Sequence, residues 1–181
     1  MTLLHTLGLV LVALILVITV YGRDNSWKLA FGDPDLGHVD FATLRKGPNP
    51  NEWLVAPPDR IEAAPDAVAP IFAMAAPDLF ARLLAIAEAE PRTTRVGLYP
   101  QQLEARFVQR TEWMRFPDTI VVKVYELEPG RATVALYSRS QIGRSDFGVN
   151  RARIERWLAA LAAAAPPVGL AALSYSGSSA R

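Results

Sequence analysis

The chain contains no cysteine and only two histidines, His5 and His38. It can therefore form no disulfide and no thiolate metal site, and it offers no cysteine nucleophile. A histidine-based metal centre or acid–base pair has only these two residues to draw on. Because no second histidine accompanies His38, we expect it to be a surface or packing residue. We predict neither a metal site nor a cofactor.

An excess of charge of either sign is also absent, since 19 Lys and Arg residues stand against 18 Asp and Glu residues. Nucleic-acid binding calls for a strongly basic face, so we expect no nucleic-acid partner. At 181 residues, the chain is long enough for one domain of ordinary size and additional segments.

Catalytic motifs are missing as well. The sequence has no Gly-x-Ser-x-Gly, no Walker-type loop and no dinucleotide fingerprint. A serine nucleophile needs a base within hydrogen-bond reach, and outside the N-terminal segment only His38 offers an imidazole. We expect a non-catalytic protein. The alternative, an enzyme of unknown type, would require a polar pocket around Asp118, Arg139 and Asp146.

A long apolar run opens the chain: residues 2–21 carry no charged side chain. A helix of this length spans about 30 Å, the thickness of the hydrocarbon core of a bilayer. We predict a retained single-pass anchor over residues 1–22. A cleaved signal peptide is the alternative, and the lack of Lys and Arg before the run disfavours it. The membrane-interface candidates are Tyr21, Arg23, Trp27 and Lys28.

The remainder divides into three parts by composition. Residues 23–66 are rich in Gly, Pro, Asp and Asn without sustained periodicity, which predicts an extended tether packed on the domain. Residues 67–165 carry the regular patterns of an α+β domain. Residues 166–181 are predicted to be a C-terminal tail that ends in a polar, frayed stretch.

The domain is predicted to have the order β-α-β-β-β-β-α. Strands are expected at residues 69–74, 94–98, 103–108, 120–125 and 133–138, and helices at about 77–90 and 147–164. Three consecutive alternating strands indicate an antiparallel meander. The predicted fold is therefore α+β, with an N-terminal transmembrane helix followed by a small antiparallel sheet covered by two helices.

Residues 138–154, SRSQIGRSDFGVNRARI, gather most of the unusual polar side chains of the soluble part. Arg139 and Arg144 could bind an anion together with backbone N–H groups at the start of the last helix. A structural role is the alternative, with Ser145 or Asp146 capping the helix and Arg139 paired with a carboxylate such as Asp118. The binding candidates are Arg139, Ser140, Arg144, Ser145, Asp146 and Asn150.

The same run is similar to the C-terminal signature of the domain-of-unknown-function family 1499. The upstream WMRFPD at residues 113–118 resembles that family's aromatic-Phe-x-Asp element, and the resemblance covers about residues 48–161. It implies a small envelope or membrane-associated domain without an established activity. Many members carry a Pro-Asn-Cys-type element, whereas this chain has Pro50-Asn51-Glu52, so any role of that thiol is absent here.

We therefore expect one function and keep a second as the alternative. The first is a membrane-anchored accessory or assembly subunit that binds a larger membrane protein complex and contacts the lipid bilayer through its helix. The second is a small-ligand or lipid-binding envelope module that uses the sheet face and the Arg139/Arg144 loop. The resemblance favours the periplasm, whereas Lys and Arg after the apolar run favour the cytoplasm. We expect the periplasm.

Overall fold

A computed structural model describes residues 3–168 of the protein. The chain begins with the apolar helix α1 (Leu3–Tyr21), which is long and apolar enough to cross a membrane. Gly22 follows with a φ of 76°, a left-handed conformation that glycine adopts without strain. Helix α2 (Arg23–Phe31) starts directly after it. Gly22 therefore separates two helices that would otherwise run on as one.

The centre of the molecule is one mixed sheet in the order β2-β1-β7-β6-β5-β4; β3 pairs with the first part of β7, on the same edge as β1, and β8 pairs with β3. All pairs are antiparallel except the two-residue β1–β2 pair. The strands are β1 (Glu52–Ala56), β2 (Ala67–Val68), β3 (Ile71–Phe72), β4 (Thr93–Tyr99), β5 (Glu104–Arg110), β6 (Pro117–Glu128), β7 (Arg131–Ser140) and β8 (Pro167–Val168).

Helices α3 (Ala76–Ala89) and α4 (Val149–Ala164) cover one face of the sheet. Each buries an apolar stripe, as an amphipathic helix on a sheet must. In the resulting core the rings of Phe107 and Trp157 meet edge to face, with centroids 6.2 Å apart. The space between the sheet and the helices is filled by this apolar cluster.

A strap of irregular chain, residues 33–47, covers the opposite face. Phe41 is fully buried there, and it packs in one cluster with Leu54 and Tyr137 of the sheet. Arg106 Nη1 lies 2.7 Å from Asp35 Oδ1 of the strap. The sheet is therefore enclosed by helices on one side and by the strap on the other.

His38 belongs to the strap and lies beside a buried carboxylate. Its Nε2 is 2.8 Å from Oε1 of Glu104, which is 1 % exposed, and its ring meets Tyr99 edge to face at 5.5 Å. Lys123 Nζ lies 3.2 Å from the other carboxylate oxygen of Glu104. His38 thus pairs with the sheet beneath the strap.

The α+β fold with an N-terminal apolar helix is confirmed, and four of the predicted strands correspond to β4 to β7. Strand β1 and helix α2 were not predicted, because the sequence pattern placed both in an extended tether. The first predicted strand shrinks to the two residues of β3, and α4 begins at Val149 rather than at 147. Residues 167 and 168 of the predicted tail form β8; the rest of that tail lies outside the described residues.

Candidate functional site

The connection from β7 to α4 is shaped by two glycines and one aspartate. Gly143 and Gly148 adopt φ angles of 96° and 80°, which glycine tolerates best. Asp146 accepts hydrogen bonds from the backbone N–H of Gly148 at 3.0 Å and of Asn150 at 2.8 Å. Asp146 therefore satisfies amides at the start of α4, as a capping residue does.

Arg153, one turn further along α4, is the centre of a buried polar network. Its Nη2 donates to Asp118 Oδ2 at 2.6 Å, and its Nη1 lies 2.6 Å from both Ser138 Oγ and Asn150 Oδ1. Its Nε donates to Gln109 Oε1. The side chains of Arg153 and Asp118 are only 3 % and 5 % exposed. A buried ion pair needs such additional hydrogen bonds to offset its desolvation.

Asn150 extends the network to the edge of the sheet. Its Nδ2 donates to the backbone carbonyl of Asn51 at 2.9 Å and to Ser140 Oγ at 3.0 Å. The Nδ2 of Asn51 in turn donates to the carbonyl of Gly143 at 2.8 Å. These bonds join the segment before β1, the end of β7 and the first turn of α4. The network thus fixes the helix on the sheet.

A second cluster holds α2 against the β5–β6 loop (residues 111–116), and we call these contacts the clamp. Asp24 on α2 accepts two hydrogen bonds from Arg115, each 2.6 Å long. Arg110 Nε lies 3.6 Å from the same carboxylate. The hydrogen bond from Arg115 holds the pKa of Asp24 below its usual value, despite partial burial.

Backbone carbonyls of the β5–β6 loop complete the clamp. Trp27 Nε1 donates to the carbonyl of Met114 at 2.6 Å, and the Trp27 ring meets Phe116 edge to face at 5.3 Å. Arg23 Nη1 lies within 3.4 Å of the carbonyls of residues 112 and 113. The loop is therefore tied to α2 by side chains spread over more than one helical turn.

A cleft of about 460 Å³ opens beside the β7–α4 connection. On its floor, Glu52 is buried, and its Oε2 accepts a hydrogen bond from the Tyr137 hydroxyl. The other oxygen, Oε1, has no hydrogen-bond partner among residues 3–168. Burial raises the pKa of Tyr137, and its bond to the Glu52 carboxylate raises it further. The cleft is lined by Lys46, Gly47, Pro48, Asn49, Pro50, Glu52, Trp53, Asp66, Ser145, Asp146, Gly148 and Arg151.

Comparison with known families identifies the domain that contains the Arg153 network. A family model described as "Protein of unknown function (DUF1499)" matches residues 44–161. The chain belongs to this family. The matched range contains the Arg153 network and the β5–β6 loop but not α2. No curated protein and no solved structure matches the chain.

The DUF1499 domain does not bring the six binding candidates together. Ser140 and Asn150 are in the network, Asp146 caps α4, and Arg144 and Ser145 are exposed. In the register of β6 and β7, Arg139 lies opposite Thr119, whereas Ser140 lies opposite Asp118. Neighbouring residues of a strand point to opposite faces, so the predicted Arg139–Asp118 pair is wrong.

The four membrane-interface candidates lie at the end of α1 and on α2 of this DUF1499 protein. Tyr21 is exposed at the end of α1, and Lys28 Nζ lies 2.6 Å from Asp33. Arg23 and Trp27 both contact the β5–β6 loop. These two side chains therefore join the helix to the domain.

The central residue of the network, Arg153, was not among the candidates for the DUF1499 domain. It lies three residues after Asn150 and four before Trp157, within the buried stripe of α4. A charged residue on the same helix face as the apolar residues Ile154, Trp157 and Leu161 could have indicated a buried arginine. Asp24 and Arg115 had no local signal, because they meet across 91 residues.

Proposed function

We propose that the protein is a single-pass, membrane-anchored accessory or assembly subunit that binds a larger membrane protein complex, with its domain in the periplasm. The clamp is the observation that carries this proposal. Asp24 and Trp27 follow α1 directly and hold Arg115 and the carbonyl of Met114. With α1 as the anchor, the clamp would hold the domain close to the surface of the bilayer. A preorganised surface of this kind lowers the entropic cost of binding a neighbour in the same membrane.

The buried network supports a non-catalytic role. Asp118, one of the three residues that the enzyme alternative requires, hydrogen-bonds to Arg153 inside the protein. A catalytic acid or base must reach its substrate directly or through one water.

The test is purification of the tagged full-length protein in mild detergent, with mass spectrometry of what accompanies it. We expect stoichiometric recovery of one membrane protein complex, and weaker recovery with Asp24→Ala. Asp33→Ala is the matched control, because Asp33 forms an exposed ion pair with Lys28 outside the clamp. Recovery of the protein alone, as a monomer, would overturn the proposal.

The cleft favours a second candidate, a small-ligand-binding module. A buried carboxylate oxygen without a partner favours a ligand that donates a hydrogen bond or carries positive charge. Trp53 also lines the cleft, and the Arg151 guanidinium lies over its ring, 4.9 Å from the ring centroid. Native mass spectrometry tests this candidate: a bound small molecule that Glu52→Gln removes supports it, and a ligand-free mass at every gentle condition counts against it.

A further inference from the structure

Two large apolar side chains stand exposed at the tip of the β5–β6 loop. Trp113 is 81 % exposed and Met114 is 60 % exposed. A single exposed apolar residue is ordinary, but adjacent large ones on a rigid loop indicate a contact surface. The loop belongs to the WMRFPD element that the resemblance singled out.

This tip lies at the base of the apolar helix. Arg23, two residues after the end of α1, reaches the carbonyl of Trp113 at 3.3 Å. Tyr21, the last residue of α1, and Arg115 of the loop line one polar cleft of about 310 Å³. The loop is therefore adjacent to the residue at which the apolar helix ends, whatever the angle between α1 and α2.

The backbone of the tip is fixed from both sides. The amide of Thr111 donates to the carbonyl of Phe116 at 3.0 Å, and the amide of Phe116 donates to Thr111 Oγ1 at 2.9 Å. From α2, Trp27 binds the carbonyl of Met114. The backbone carbonyls of Trp113 and Met114 are thus engaged by the protein, while their side chains face solvent.

We propose that Trp113 and Met114 enter the membrane–water interface next to α1 and give the domain a second contact with the bilayer. The proposal rests on the anchoring role of α1 in the proposed function. Tryptophan favours this interface because its ring is apolar and its indole N–H can bond to headgroups or water. A lipid surface fits better here than a protein partner, because the tip is tied to the residues at which the apolar helix ends.

The absence of cysteine permits a direct test with single labels. The full-length chain is reconstituted into phosphatidylcholine–phosphatidylglycerol vesicles with an environment-sensitive fluorophore at Met114→Cys. We expect blue-shifted emission, quenching by doxyl-labelled lipid and protection from iodide. Adding Trp113→Asp should reverse all three effects.

Two further labelled variants distinguish a failure of the proposed interfacial contact from a failure of the membrane anchor. Glu128→Cys lies at the other end of the 12-residue strand β6, roughly 35 Å from the loop at the usual rise per residue, and should be open to iodide. Leu11→Cys in the middle of α1 should be quenched by the lipid. Quenching at Leu11 but not at Met114 would overturn the interfacial contact alone, whereas no quenching at Leu11 would overturn the anchor itself.

Discussion

Replacing Arg153 with methionine should destabilise the domain by about 3–5 kcal/mol. Methionine keeps much of the volume of the arginine stem, so the change creates little cavity. It leaves the Asp118 carboxylate, 5 % exposed, without its cation. It also removes a donor from Ser138, Asn150 and Gln109. Breaking a buried ion pair by removing one partner is costly because the remaining charge stays buried and uncompensated.

Arg151 provides a matched control on the same helix. Its side chain is 57 % exposed and lies 2.7 Å from Glu155 one turn away. Such a pair contributes about 0.2–0.5 kcal/mol, and the stacking of Arg151 on Trp53 adds about 0.5–1 kcal/mol. Arg151→Met should therefore lower the free energy of unfolding less than Arg153→Met does, by roughly 1.5 kcal/mol or more.

The assay is urea unfolding of the full-length protein in mild detergent, followed by the emission of its four tryptophans, of which Trp157 is 1 % exposed in the native core. In the Arg153→Met background, adding Asp118→Asn should restore part of the lost stability, because it removes the unpaired charge. Equal unfolding midpoints for Arg153→Met and Arg151→Met, or no recovery with Asp118→Asn, would refute a buried ion pair at the centre of this network.

Three further changes test other parts of the structure. Phe41→Ala empties the fully buried site under the strap and should lower the free energy of unfolding by about 3–5 kcal/mol in the same assay. Leu36→Ala, at a half-exposed position of the strap, should lower it little. Asp146→Ala removes acceptors at the start of α4 and should lower the free energy of unfolding by about 1 kcal/mol. Asp59→Ala, at an exposed position, is the control. Equal effects of the two changes would contradict the capping role. Because its bond to Arg115 lowers the pKa of Asp24 below the usual 3.8, the clamp should be intact above that pH and weaken as the pH falls through the lowered value. A spin label at Glu112→Cys should gain mobility in that acid range, and equal mobility at neutral pH and at low pH would contradict the clamp.

The parts of the fold that the sequence predicted are those with local signals. Strand β5 alternates apolar and polar residues, β6 and β7 contain the apolar runs Ile120–Val122 and Val134–Tyr137, and Pro129 with Gly130 marks the turn between the last two. Helix α3 begins with Pro77 and Asp78, residues that suit the first turn of a helix. These signals depend only on neighbours in the chain.

Strand β1 shows why other parts were missed. Most of its five residues are buried, because α4 covers one face and the strap covers the other. A short strand buried on both faces has no period-two alternation. Its partner β7 lies about 80 residues further along the chain, so no neighbouring segment indicates the pairing.

The site was predicted in part for the same reason. The helix-capping alternative for Asp146 needed only the local sequence: its carboxylate accepts the N–H of Asn150 in the first turn of α4, although Gly148 occupies the N-cap position. The network required knowledge of which strands meet, because Gln109, Asp118 and Ser138 come from three different strands. The sheet register also separates Arg139 from Asp118 onto opposite faces, which no spacing in the sequence revealed.

The attachment of the domain to α2, the helix that follows the anchor, is tested most directly by a distance measured across the clamp in lipid bilayers. Spin labels at Ala30→Cys on α2 and Asp78→Cys on α3 occupy exposed positions on the two sides of the clamp. Pulsed electron resonance of the reconstituted full-length chain should give one narrow distance, which Asp24→Lys should broaden by repelling Arg115. A broad distribution in the chain with Asp24 intact would show a flexible tether and contradict a domain fixed on its anchor.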